Sequence, residues 1–211
     1  MYANQDAVNG LSESIARFYA CCKCRKMNDD RSHSSLLVPP STQDWMQGVL
    51  SARVVLVMYG DYQCHKSADV YKLIKGIKRD LSDSFEADDL CLIFRHFPQV
   101  QIHPYAQRAA EASEAAAAQG QFWVMHDTLF THQQTLENGY LIEYANDLKL
   151  DIPQFLRDLS KHVHGDRINE NVEGGIHSGV TTAPALFINN IRYTGCWKKT
   201  ELMTAIVAAN H

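Results

Sequence analysis

The sequence predicts an α/β protein in which a block of helices interrupts a small core of strands and helices. Three observations carry this. Two mostly apolar runs, Arg53–Tyr59 and Leu90–Pro98, read as buried strands on either side of one helical segment. From Pro104 to about Ser178 the chain is helical in spacing and rich in alanine. The strand pattern then returns in "ALFINNIRYTG". The order is strand, helix, strand, helical block, hairpin, helix.

The elements follow in order. Residues 1 to about 40 are polar and weakly periodic, and Pro39-Pro40 marks a boundary. They read as a flexible N-terminal extension with one short helix around Ser12–Tyr19. The core is expected to begin at Ser41, so a chain starting there should melt at about the same temperature as the whole. After the valine-rich run, Ala68–Leu81 places Val70, Leu73, Ile74 and Ile77 on one helical face. Pro98 stops the second strand. Pro104 suits the first turn of "PYAQRAAEASEAAAAQG" and Gly120 its end. "FWVMHDTLFTHQ", "YLIEYANDLKL" and "PQFLRDLSKHVH" continue the helical pattern. Asn189-Asn190, between two short apolar runs, signals a hairpin turn. A last helix is expected from about Lys198 to Ala208.

The 211 residues suit one domain with an insertion. Apolar residues make up 45% and charged residues 21%, ordinary for a globular protein. The net charge of −4 and the lack of a basic run argue against nucleic acid as a partner. No apolar run approaches the ~20 residues that span a bilayer, so no membrane partner is expected. The N-terminal residues do not read as a secretory signal, and a cytoplasmic location is the expectation. Thiols there stay reduced.

Six cysteines are present, without the spacing of a disulfide-stapled domain. Cys64 stands apart, because it lies where the first strand gives way to a helix: "VVLVMYGDYQCHKSADVYKLI". Unpaired N–H groups and the helix dipole favour an anion at that point, so a thiolate is stabilised. His65 and Lys66 add positive charge beside it. A buried structural cysteine is the bland alternative, and the polar neighbours argue against it. In "GVTTAPALFIN" a proline precedes an apolar strand. It marks either a simple strand start or a cis Ala183–Pro184 bond in a tight turn.

These stretches, with "CLIFRHFPQVQIHPYAQRAAEASEAAAAQGQFWVMHDTLFTHQ", resemble the thioredoxin-fold thiol-disulfide oxidoreductases of the DsbA type. The likeness is to the bacterial branch with a helical insertion, and it covers roughly Pro39–Ala208. It implies a thioredoxin-like domain over 41–211, interrupted by the insertion at about 104–178. It also implies that Pro184 is the family's cis-proline, which faces the nucleophilic cysteine and helps hold a substrate backbone.

Two departures bear on function. Where the family reads Cys-x-x-Cys, this chain reads Cys64-His65-Lys66-Ser67. The nucleophile is kept and the resolving thiol is lost, so no internal disulfide can be stored and passed on. Ser67 is expected to donate a hydrogen bond to the Cys64 thiolate. Before the proline stands Ala183, where the family often has Thr or Val, and the smaller side chain is expected to widen the substrate groove.

The expected function is therefore that of a monothiol in disulfide exchange, isomerisation or deglutathionylation. Its partners would be protein or peptide thiols and disulfides, with glutathione as a thiol co-substrate and no cofactor or metal. The alternative is a redox-inactive fold that keeps its groove for a peptide or protein. Cys21, Cys22 and Cys24 would need His33 as a fourth ligand to hold zinc, and as thiols they could resolve Cys64 only in trans. Cys91 reads as buried and inert. Cys196 follows the hairpin beside Trp197. His96, His103 and His126 read as core or capping residues.

Overall fold

The computed structural model describes residues 35–82 and 89–210. The helix expected around Ser12–Tyr19, together with Cys21, Cys22, Cys24 and His33, lies outside the described residues. The chain divides into a unit over 1–32 and a unit over 33–211, and the second carries the fold.

Five strands form one sheet: β1 (Trp45–Gln47), β2 (Val54–Gly60), β3 (Leu90–His96), β4 (Ala185–Ile188) and β5 (Ile191–Arg192). Their spatial order is β1-β3-β2-β4-β5. β2 and β3 run parallel, with Val54 opposite Leu90 and Gly60 opposite His96, and the other pairings are antiparallel. A parallel pair needs a crossover, and helix α1 (His65–Asp80) supplies part of it. It starts three residues before the expected Ala68, because Cys64 already serves as its N-cap.

Successive strand residues point to opposite faces, and both faces are covered. Val54, Leu56, Met58, Leu92, Phe94 and Leu186 pack with Val70, Ile74 and Ile77 of α1 and with the inserted helices. Val57, Tyr59, Ile93 and Phe187 pack on the other face with Leu36, Phe97 and Val180. Burial on both sides explains why the strands read as unbroken apolar runs rather than alternating ones. At the end of β2, Gly60 leaves room for the Phe94 ring, since a Cβ there would lie 2.4 Å from it. The hairpin joining β4 and β5 turns on Asn189 and Asn190, with φ of 46° and 68°. Positive φ at both turn residues is what a two-residue hairpin asks for, and asparagine tolerates it well.

Between the two halves of the sheet lie α2 (Ala106–Ala117), α3 (Phe122–Thr131), α4 (Asn138–Asp147), α5 (Ile152–Ser160) and α6 (Gly165–His177), and α7 (Lys199–Ala208) closes the chain. Helix α2 is buried almost all round, which its short alanine side chains permit. Its Glu114 is 2% exposed. One oxygen, Oε1, accepts from Trp45 Nε1 (2.8 Å) and Arg167 Nε (3.0 Å) and lies 2.9 Å from His96 Nε2. Burial opposes the charge of this carboxyl, but His96, Arg167 and the Trp45 indole outweigh it and hold its pKa below the usual carboxylate range. One atom thereby fastens the insertion to β1 and β3, and α2 to α6 within it.

Residues 35–40 pack onto the fold ahead of the expected boundary at Ser41. Ser35 bridges to Ile191, and Leu36 N donates to Asn190 O. Leu36 is 7% exposed within the second core cluster. Arg95, buried and paired with Asp44, also donates to the carbonyls of Val38 (2.8 Å) and Pro39 (3.1 Å). This strap is part of the fold.

Candidate functional site

The turn from β2 into α1 builds the site. Cys64 N donates to Asp61 O (3.1 Å), and Cys64 O accepts from Ser67 N and Ala68 N as the helix begins. The Cys64 backbone is extended (φ −80°, ψ 114°), and the residue caps α1. Its side chain therefore sits where the first free N–H groups of the helix emerge. Cys64 is 8% exposed. Its Sγ lies 3.6 Å from Ala183 O, and the Ala183–Pro184 bond is cis. Residues 119 positions apart in sequence thus meet at the sulfur. Among the described residues the free cysteines are Cys64 and Cys91. Burial pushes the Cys91 thiol up, in keeping with an inert core residue.

Ser67 lies beneath this turn, fully buried, and its Oγ accepts from Asp61 N at 3.3 Å. Among the described residues no hydrogen bond links it to Cys64 Sγ. The expected support of a thiolate by Ser67 is corrected accordingly: its hydroxyl oxygen ties the helix start to the end of β2. Asp61 is the organiser that the sequence did not single out. Its Oδ1 accepts from Gln63 N (2.8 Å), and its Oδ2 accepts from Gln99 N (2.8 Å) and lies 2.7 Å from His103 Nδ1. A carboxylate beside its own turn is a common loop-former, so an Asp three residues before the cysteine was the available signal.

His65 and Lys66 are both exposed. His65 reaches across to the loop after α3, with Nδ1 3.2 Å from Gln133 Oε1 and Nε2 3.2 Å from Gln134 Nε2. The Gln133 amide nitrogen donates to Tyr62 O (2.6 Å) and Cys64 O (3.0 Å). Those two bonds fix which end of the amide is oxygen, so His65 Nδ1 carries the proton that it receives. The helical insertion thus clamps the nucleophile turn from one side. From the other, Gln99 Oε1 accepts from Ala183 N (3.1 Å), and Gln99 Nε2 lies 3.2 Å from Thr182 Oγ1. Neither glutamine carries a sequence signal, because each acts across tens of residues.

Below the turn, Tyr62 Oη lies 2.8 Å from Nδ1 of the fully buried His126. Burial drives the tyrosine pKa well up. Burial, with the charges of His96 and Lys75, drives that of His126 well down. Both groups stay neutral. Six rings surround this imidazole, Phe94 the nearest at 4.4 Å between centroids. Among the described residues no cluster of side chains could hold a metal ion.

A cysteine on a helix start, in contact with the residue before a cis-proline at the end of a central sheet, defines a thioredoxin-like protein. Residues 41–208 match the thioredoxin family model, and the chain belongs to that family. Among curated proteins it is similar to the Na(+)/H(+) antiporter NhaA 1 of Salinispora arenicola, 35% identical over 175 residues. That match covers 82% of this chain and 26% of the antiporter, so the chain spans about a quarter of its relative's length. No helix among the described residues is long and apolar enough to cross a membrane. Among solved structures, oxidised BdbD from Bacillus subtilis superposes with a TM-score of 0.70 at 20% identity, covering 83% of this chain and 98% of that one. The thiol-disulfide exchange protein alpha-DsbA2 from Wolbachia pipientis gives 0.67 at 15% identity, covering 98% and 99%. These likenesses establish the fold, a thioredoxin core with inserted helices.

Proposed function

We propose that this protein is a DsbA-like thiol-disulfide oxidoreductase that works through Cys64 alone. The observation that carries this reading is the position of a free cysteine at the N-cap of α1, with its sulfur 3.6 Å from the carbonyl before the cis-proline. The Cys64 thiolate attacks the sulfur of a peptide–glutathione disulfide. A Cys64–glutathione disulfide forms and the peptide leaves as its thiolate. A glutathione thiolate then attacks that mixed disulfide, releasing oxidised glutathione and restoring Cys64. Each step breaks one S–S bond and makes one, and no cofactor or metal takes part. Ser67 cannot resolve the intermediate, so the external thiol is obligatory. His65 and Lys66 open the helix beside the sulfur, while Ala183 and Pro184 line the approach to it.

The test is turnover of a glutathionylated peptide. The natural chain should accumulate an adduct on Cys64, readable by mass, and turn over only when glutathione is supplied. Cys64→Ser should do neither. Ser67→Cys places a second thiol one helical turn away and should form an internal disulfide under mild oxidation. It should also be less stable by about 1–3 kcal/mol, because sulfur is a poor acceptor for the buried Asp61 N–H. Absence of any adduct on Cys64 in the natural chain would refute the reading and leave a redox-inactive groove for a peptide or protein partner.

A further inference from the structure

The backbone around Cys64 contains one donor whose occupancy is unusual. Ala183 lies two residues before β4, beyond the last β2–β4 pair, Tyr59 with Ala185. Its N–H therefore has no sheet partner. The Ala183 C=O is met by Cys64 Sγ, and its N–H is taken by Gln99 Oε1 at 3.1 Å. The other end of the same carboxamide lies 3.2 Å from Thr182 Oγ1. A glutamine side-chain amide has the donor and acceptor of a peptide group. With Gln99 in place, Ala183 is 4% exposed.

A peptide disulfide that brings its sulfur to Cys64 must also lay backbone against Ala183, since the sulfur and that carbonyl are in contact. Adding an extended segment to a strand end is driven by main-chain hydrogen bonds. Here the donor for those bonds is already filled. We propose that the Gln99 carboxamide is an intramolecular stand-in for a substrate's peptide group, and that it sets the preference of Cys64 between peptide disulfides and small ones. The backbone of Gln99 is held separately, through its N–H on Asp61 Oδ2. The side chain can swing away while the loop stays fixed. Small disulfides need no bond to Ala183 and do not compete with it. The selectivity rests on the thiol-exchange reading, but occupation of the Ala183 donor does not.

Two rates test it: modification of Cys64 by a glutathionylated extended peptide and by cystamine. Gln99→Ala should raise the peptide-to-cystamine rate ratio by about three- to tenfold, the weight of one to two hydrogen bonds. Gln99→Met, which fills the same space without an acceptor, should do likewise. Gln99→Glu keeps the acceptor and should leave the ratio low. Amide hydrogen exchange at Ala183 should speed up in the Ala and Met variants only. Ratios equal in all four chains, or a Met variant that behaves like the natural chain, would overturn the proposal. Should neither disulfide modify Cys64, the exchange reading fails. The stand-in is then judged by non-covalent binding of the reduced peptide, which Gln99→Ala should tighten by the same factor. Unchanged binding would overturn it.

Discussion

Lowering the pH below 6.5 should destabilise this protein through one residue, His126, by up to about 1.4 kcal/mol per pH unit. The imidazole is fully buried, and its Nε2 has no partner among the described residues. Its folded pKa lies well below 6.5, first through burial and then through His96 and Lys75. In the unfolded chain it takes up a proton near pH 6.5. Below that pH the unfolded state binds the extra proton, so stability falls as pH falls, down to the depressed folded value. One proton is worth about 1.4 kcal/mol per pH unit once the unfolded imidazole is fully charged, and about half that at pH 6.5, against a total stability of ~5–15 kcal/mol. His126→Asn removes the titration while leaving a polar group for Tyr62 Oη. Urea melts followed by tryptophan fluorescence at pH 7.5, 6.5, 5.5 and 5.0 give the comparison. The variant should start less stable at pH 7.5, and the two curves should converge on acidification by up to about 1.4 kcal/mol per pH unit. Of the ten histidines, the other nine are common to both chains and cancel in the difference. Parallel curves would refute the reasoning.

Two further outcomes follow from the packing. Leu36→Ala in the full chain should cost about 2–5 kcal/mol and lower Tm by roughly 5–15 °C, because the strap carries a core side chain; a melt unchanged within 2 °C would show that the strap is dispensable. Gln133→Ala should cost about 1–3 kcal/mol for its two bonds to Tyr62 O and Cys64 O. Gln133→Glu should cost at least as much, because a carboxylate offers no donor to those carbonyls; denaturant melts that rank Glu above Ala would contradict the clamp.

Local chemistry was the legible part of this chain. The two buried strands, α1 and its cysteine cap can be read from runs, spacing and a turn, and so can the asparagine hairpin. The cis-proline came only through a family resemblance, because residues alone favour a plain strand start. What could not be read depends on distance. Ser67 is visible as a serine, but whether its oxygen faces Cys64 or Asp61 N is decided by how β2 ends above α1. Leu36, Leu37 and Val38 look alike at the end of a polar arm, and only the sheet edge near Ile191 shows that Leu36 is the buried one. Gln99 and Gln133 are ordinary loop glutamines until folding sets one against Ala183 and the other against Cys64.

The single carboxylate oxygen of Glu114 limits how this architecture can be reduced. An engineer who wished to excise the inserted helices and keep only a minimal sheet with its cysteine would delete the acceptor shared by Trp45 and His96, while its third partner, Arg167, would leave with α6. Each remaining group would then need a new partner or an apolar replacement, since a buried donor left alone costs about 1–3 kcal/mol. The insertion therefore behaves less like an accessory added to a finished scaffold than like a keystone. Any miniature of this protein has to redesign two residues of the core, Trp45 and His96, for the one acceptor it removes.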